Sequence, residues 1–315
     1  MWEQAIRELD FPAHPGGPLL PPDLGAAWII EPSVWIPLAL SILIYAWGTY
    51  NVWKRAGRGR GITTRQWMSF IGAVLVLVLT LMSPLDSLSD QLFSAHMVQH
   101  LLLMLVAAPL LVTSDFQLAL LWALPRRRAQ ALGSGFNQSE SLSSGWRVLN
   151  NPVFVWIVFT MTMWLWHAPL FFQAALHNEL IHTLEHLTFL LTAMLYWWVL
   201  FKRNRPDHVH YAMTIPFLFL TVLQSGILGA LMTFTSEPWY PYYADFVNYW
   251  GLTPLEDQQL AGLIMWMPGG AVFTLLTIGY FAAWLRALER RSVQLKQRDS
   301  LQPPGPRTER SVNWE

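Results

Sequence analysis

Seven stretches of continuously apolar residues recur along this chain, each near the roughly 20 residues that a helix needs to cross a bilayer. They lie at Val34–Trp53, Trp67–Met82, Leu92–Val112, Val153–Phe172, Leu180–Phe201, Ala212–Phe234 and Leu260–Leu285. None alternates apolar with polar residues, so a membrane β-barrel is not expected. In hydrocarbon every backbone polar group needs an internal partner, which a helix supplies within itself. Composition agrees: 53% of the 315 residues are hydrophobic and only 13% are charged, against about 25% charged in a soluble domain. The expected fold is therefore an all-α integral membrane protein of seven transmembrane helices.

The basic residues set the expected orientation. All of the 20 Lys and Arg except Arg7 fall in the first, third and fifth loops or in the C-terminal tail. By the positive-inside rule the N-terminus lies outside and the C-terminus in the cytoplasm. Residues 1–32 form a Pro-rich outer segment, 33–288 the membrane domain, and 289–315 a basic tail that becomes disordered. Residues 1–30 lack the basic start and apolar run of a signal peptide. A net charge of zero argues against nucleic acid as a partner. The loop Thr235–Gln258, rich in Trp and Tyr, reads first as an aromatic belt at the headgroups and second as a lid or docking surface.

There is no cysteine, so thiolate metal sites and Fe–S clusters are excluded. The histidines stand out by depth. His96 and His100 open the third span, His182 and His186 open the fifth, and His167 lies near the outer end of the fourth; His177 follows in a short loop. Spacing of i, i+4 puts both rings of each pair on one helix face. The segments Ala95–Leu101 and Ile181–Leu187 resemble each other, and each follows a Pro-Leu pair, Pro84-Leu85 and Pro169-Leu170. An internal repeat of hairpins, spans two and three against four and five, would bring the pairs face to face. As helix-packing residues these histidines would each need a hydrogen bond to a neighbouring helix. As metal ligands they would form one cluster of His96, His100, His182, His186 and His167, and the matched pairs favour that reading.

Accessory roles are open for several neighbours. Glu185 is either an acceptor that orients an imidazole or a packing group. Met97, Met104, Met265 and Met267 are core filler or soft ligands, and a thioether ligand would point to copper(I). Asp257 opens the last span, where an acid is expected from capping and the helix dipole alone. Pro268-Gly269-Gly270 is expected to interrupt and kink that span. His208 and His210 read as loop residues.

Several of these segments resemble one family. Ser83–Asp86, Ser94–Met104, Trp164–His167, His182–His186, Gly229–Phe234 and Asp257–Trp266 are similar to the motifs of multi-span CtaG-type cytochrome c oxidase assembly factors. Looser similarity covers about residues 28–290. The resemblance implies a bacterial inner-membrane protein that helps mature haem–copper oxidases at the copper step. Its expected partners are oxidase subunits or other assembly factors, and no catalysis is expected. Two rivals remain: a zinc-dependent intramembrane hydrolase, with Glu185 or Asp257 activating water, and a haem protein with one axial His from each of spans three and five.

Overall fold

The computed structural model describes residues 25, 27–28, 30–125, 127–131, 139–201 and 208–301. Most of the Pro-rich segment and the final residues of the tail lie outside that range. Among the described residues there are helices and no strand. They are α1 (Pro32–Ala56), α2 (Thr64–Leu81), α3 (Pro84–Ser89), α4 (Phe93–Thr113) and α5 (Phe116–Ala123). Next come α6 (Glu140–Leu149), α7 (Pro152–His167), α8 (Pro169–His177) and α9 (Glu179–Phe201). Finally come α10 (His208–Thr233) and α11 (Pro254–Leu301), joined through two 3₁₀ turns at Pro241–Asp245 and Val247–Trp250.

Six helices are long and apolar enough to span a membrane, and a seventh span results if α6 and α7, bent by 66°, are taken together. Helix starts follow local chemistry. Thr63 and Gln66 form a capping box at α2. The Asn151 side chain accepts from Val153 and Phe154 N–H at α7, with Pro152 in the first turn. Asn178 does the same for Leu180 and Ile181 at α9.

Three boundaries differ from expectation. The fourth span stops at His167, because Pro169 disfavours helical backbone at Ala168, and Phe172 belongs to α8 instead. Helix α11 continues through Pro268 without interruption and runs on to Leu301. His208 and His210 open α10 rather than lying in a loop.

Helix α4 is the centre of the bundle. Its span is 56% buried, against 17% for α1 and for α2. It packs on α2, α3, α9 and α11. Within it, Leu103–Ala107 forms a π-helical turn. Trp197 of α9 donates its indole N–H to the Met104 carbonyl at that turn, 2.8 Å away. The main core joins α4, α7, α8, α9, α10 and α11, while a smaller one around Tyr45, Phe70 and Ala119 ties α1 and α2 to α5.

The loop between α10 and α11 is not a surface belt. Tyr240 and Tyr243 are each 2% exposed, and Val247 is fully buried. The Tyr240 hydroxyl donates to the His167 carbonyl (2.7 Å) and the Tyr243 hydroxyl to the Ser89 carbonyl (3.2 Å). Their rings pack at tilted angles against Phe93 and Phe172. The loop is a cap over the end of the bundle where α4 and α9 begin and α7 finishes, the histidine end.

A candidate metal centre between α4 and α9

The sequence-predicted histidines converge beneath that cap. Within each pair the ring centroids are 4.3 Å apart, His96 to His100 and His182 to His186. Between helices, His96 lies 5.4 Å from His182 and 5.8 Å from His186, and His100 lies 5.3 Å from His186. His167 joins from α7, 6.4 Å from His100. His177 does not: its ring packs on Tyr242 and its Nδ1 lies 2.7 Å from the Gln173 carbonyl. Phe172 against His96 and Phe189 against His100 complete an apolar wall.

Glu185 sits inside the cluster. Its two carboxylate oxygens lie 3.8 Å from His96 Nε2 and 3.7 Å from His100 Nε2, and its side chain is fully buried. Those separations are too long for hydrogen bonds. Both oxygens of Glu185, both ring nitrogens of His96 and of His100, and Nε2 of His167 and His186 are buried without a hydrogen-bond partner among the described residues. Each such group costs about 1–3 kcal/mol when desolvated and unsatisfied. Histidines serving only to pack helices would have partners at these atoms, and these atoms have none among the described residues.

The donor set fits a cation. Donor atoms of His96, His182 and His186 lie within 4.8 Å of one another, as do those of His96, His100 and Glu185. Imidazole nitrogens about 2.0–2.1 Å from a tetrahedral ion stand roughly 3.3 Å apart, so a contraction of at most about 1.5 Å would close either set on an ion. Nδ1 of His167 lies 2.7 Å from the Met163 carbonyl, which can only accept. Nδ1 is therefore the protonated nitrogen and Nε2 carries the free lone pair, the tautomer usual for a metal ligand.

Asp257 is not among these donors. Its carboxylate accepts from the backbone N–H of Phe93 (2.6 Å) and Ser94 (3.1 Å), the first turn of α4. Leu92, at the N-cap, has no side chain that could do this. Helix α11 thus caps α4 from outside and fixes the helix that carries His96 and His100. Asp257→Ala should lower stability by about 1–2 kcal/mol, with Asp257→Asn intermediate because it keeps one acceptor. Thermal unfolding of the purified protein checks this, and equal stability of the three proteins would remove the capping role.

Gln99, which sequence reasoning passed over, performs a parallel task. Its side-chain amide donates to the Thr80 carbonyl (2.9 Å) and to Asp86 Oδ1 (2.6 Å), tying α4 to α2 and α3. Burial pushes the Asp86 carboxyl, in the link between spans, from 3.8 to about 7, and the Gln99 bond opposes that rise. The available signal was position: Gln99 lies between the paired histidines, and Asp86 ends the Ser83–Asp86 motif. Met97, Met104 and Met265 line a cavity beside His100 and His167, and Met163, also unforeseen, joins them. Met267 is 58% exposed and takes no part.

One comparison with known proteins identifies a family. A family model described as cytochrome c oxidase caa3 assembly factor matches residues 43–287. An uncharacterised protein of Mycobacterium leprae (strain TN) is 23% identical over 237 residues, covering 72% of this chain. The chain spans about a third (35%) of the length of that curated relative. No solved structure matches the chain.

Proposed function

We propose that this chain, which belongs to the cytochrome c oxidase caa3 assembly factor family, holds a copper ion between α4 and α9 and passes it to an oxidase subunit. The observation that carries this reading is the convergence of buried, unpartnered imidazoles on one carboxylate, Glu185, in a protein of apolar spanning helices. Copper is the metal that cytochrome c oxidase must acquire. His96, His100, His182, His186 and His167 would hold it, and the Glu185 carboxylate would offset its charge where solvent cannot. No bond in a substrate is made or broken, so the role is a carrier's rather than an enzyme's. A porphyrin would need a flat slot, whereas Phe172 and Phe189 pack directly on the rings. Zinc with a hydrolytic Glu185 is the remaining outcome that metal analysis would separate from copper.

The positive-inside pattern supports placing the histidine end outside, in the bacterial inner membrane, facing the side from which oxidase copper is supplied. Transfer by ligand exchange suits neutral imidazoles, which bind a metal less tightly than a closed thiolate cage.

Metal content tests the reading. His100→Ala and His186→Ala should each remove most of the copper from the purified protein. The double variant should lose little more, because ligands of one ion act as a unit. Additive losses, with one ion left per intact pair, would mean two independent sites; full occupancy in the double variant would sink the metal reading.

A further inference from the structure

Next to the histidine cluster lies a cavity of about 50 Å³, room for a few water-sized occupants. The residues that give it chemical character are Met97, Met104, Met163, Met265, His100 and His167. Four thioethers meet there from three helices, α4, α7 and α11. Their placement is ordered. Met104 follows His100 by four residues on α4, and Met163 precedes His167 by four on α7. The two helices run in opposite directions, since α4 begins at the histidine end and α7 finishes there. Both sulfurs therefore lie one turn, about 6 Å, to the same side of their imidazoles. These two sulfurs underlie the layer of nitrogen donors, while Met97, three residues before His100, stands at the level of the imidazoles themselves.

Other contacts hold this layer in place. The Gln224 amide donates to Met163 Sδ at 3.5 Å, and the Met163 carbonyl fixes the His167 ring. Met104 sits in the π-helical turn, with its carbonyl satisfied by Trp197. Met97, Met104 and Met163 are each at most 8% exposed. The buried, unpartnered nitrogens of His100 and His167 border the cavity and belong to both layers. Core filling alone does not call for unpartnered imidazoles beside sulfur.

We propose that this cavity is a second metal site, a thioether site for a soft monovalent ion, copper(I), connected to the histidine cluster through His100 and His167. This rests on the copper reading above and extends it to oxidation state and path. The aromatic cap covers the cluster at the histidine end and the sulfur layer adjoins it on the opposite side, so an ion held by the imidazoles can be handed to or taken from the thioethers. Each step exchanges one neutral donor for another: a Cu–S bond breaks as a Cu–N bond forms, with no electron or proton transferred. Thioethers favour copper(I) and bind zinc poorly, so the layer also selects against the commoner ion.

Silver(I), a soft ion that is not reduced or oxidised under these conditions, is the probe, with copper(I) under reductant beside it. X-ray absorption of the loaded, detergent-purified full chain should show sulfur as well as nitrogen neighbours. In the variant with Met97, Met104, Met163 and Met265 all changed to Leu, the sulfur neighbours should vanish and about half the bound ion should go. Leu for Met conserves volume, so the fold should hold; the pair Met97→Leu/Met163→Leu should lower the sulfur count with less perturbation, and exposed Met267→Leu is the control. Absence of sulfur neighbours in the wild type, or sulfur unchanged in the Leu variants, overturns the proposal. The His96→Ala/His182→Ala protein separates this from the copper reading. It should still bind silver through sulfur, and metal content unaffected by those histidines would count against the imidazole site alone.

Discussion

Cells carrying His96→Ala together with His182→Ala are expected to make an oxidase subunit that contains haem and lacks most of its copper. Both rings lie at the centre of the donor cluster, His96 in each of the two sets of converging atoms. Losing residues that merely hydrogen-bond a metal ligand already costs about 10–100-fold in affinity. Loss of two ligands should therefore lower the copper-to-haem ratio of the membranes by about tenfold or more under copper limitation. The variant should still fold. Neither side chain faces lipid, and at position 96 Ala removes two buried ring nitrogens that had no hydrogen-bond partner. Added copper should restore part of the oxidase activity by mass action, because a weakened site fills at higher metal. The measurement is copper-to-haem ratio and oxidase turnover in membranes with and without added copper. A normal ratio in the copper-limited strain would show that the histidines do not deliver metal, while leaving family membership untouched.

Gly262→Leu should nearly abolish the folded protein. Helices α10 and α11 form the most extensive contact in the bundle, and two glycines set their approach. A Cβ on Gly262 would lie 2.8 Å from the Gly229 carbonyl oxygen and 2.9 Å from the Thr233 nitrogen, both backbone atoms that cannot swing aside. A Cβ on Gly229 would meet the Trp266 side chain at 2.7 Å. Close approach through small residues is how membrane helices gain packing when lipid is as apolar as they are. Overpacking costs about 1–3 kcal/mol for added methylenes and more where backbone must move. Moving α11 would also withdraw Asp257 from the first turn of α4, so any surviving protein should bind less metal. Gly279→Leu is the control, since nothing lies within 4 Å of its Cβ position. Yield of monodisperse protein and its metal content are the readouts; a Gly262→Leu protein as abundant and as loaded as the control would discard the packing account.

The sequence pattern carried much of this, and the reasons it stopped are physical. Continuous apolar runs announce spans because lipid demands internally satisfied backbone. Helical spacing alone put His96 with His100 and His182 with His186 on shared faces. Which faces meet is a tertiary matter, and the i, i+4 rule is silent on it. Glu185 is a case in point: it is off the His182–His186 stripe in projection, yet its long side chain reaches His96 and His100 across the interface. The aromatic loop was ambiguous because Trp and Tyr suit a headgroup belt and a packed cap equally; only buried partners such as the Ser89 and His167 carbonyls distinguish them. The Gly229–Phe234 and Asp257–Trp266 segments stood out as motifs, but a glycine does not reveal what it makes room for. Pro268 misled in the other direction, since a spanning helix tolerates a proline that would break a soluble one.

The π-helical turn at Leu103–Ala107 gives α4 two rotational phases. A π-bulge amounts to one extra residue in a helix, and one residue is about 100° of rotation. Above the turn the helix presents its histidines to α9 and its opening residues to α11; below it, Ala108–Thr113 packs on α2 and α9. A straight helix of the same sequence could satisfy one of those halves and would swing the other off its partners. The extra residue therefore works as a gear offset, letting one span obey two different neighbours at its two ends. Trp197, by donating to the Met104 carbonyl within that turn, ties the offset to α9 at one place along the span.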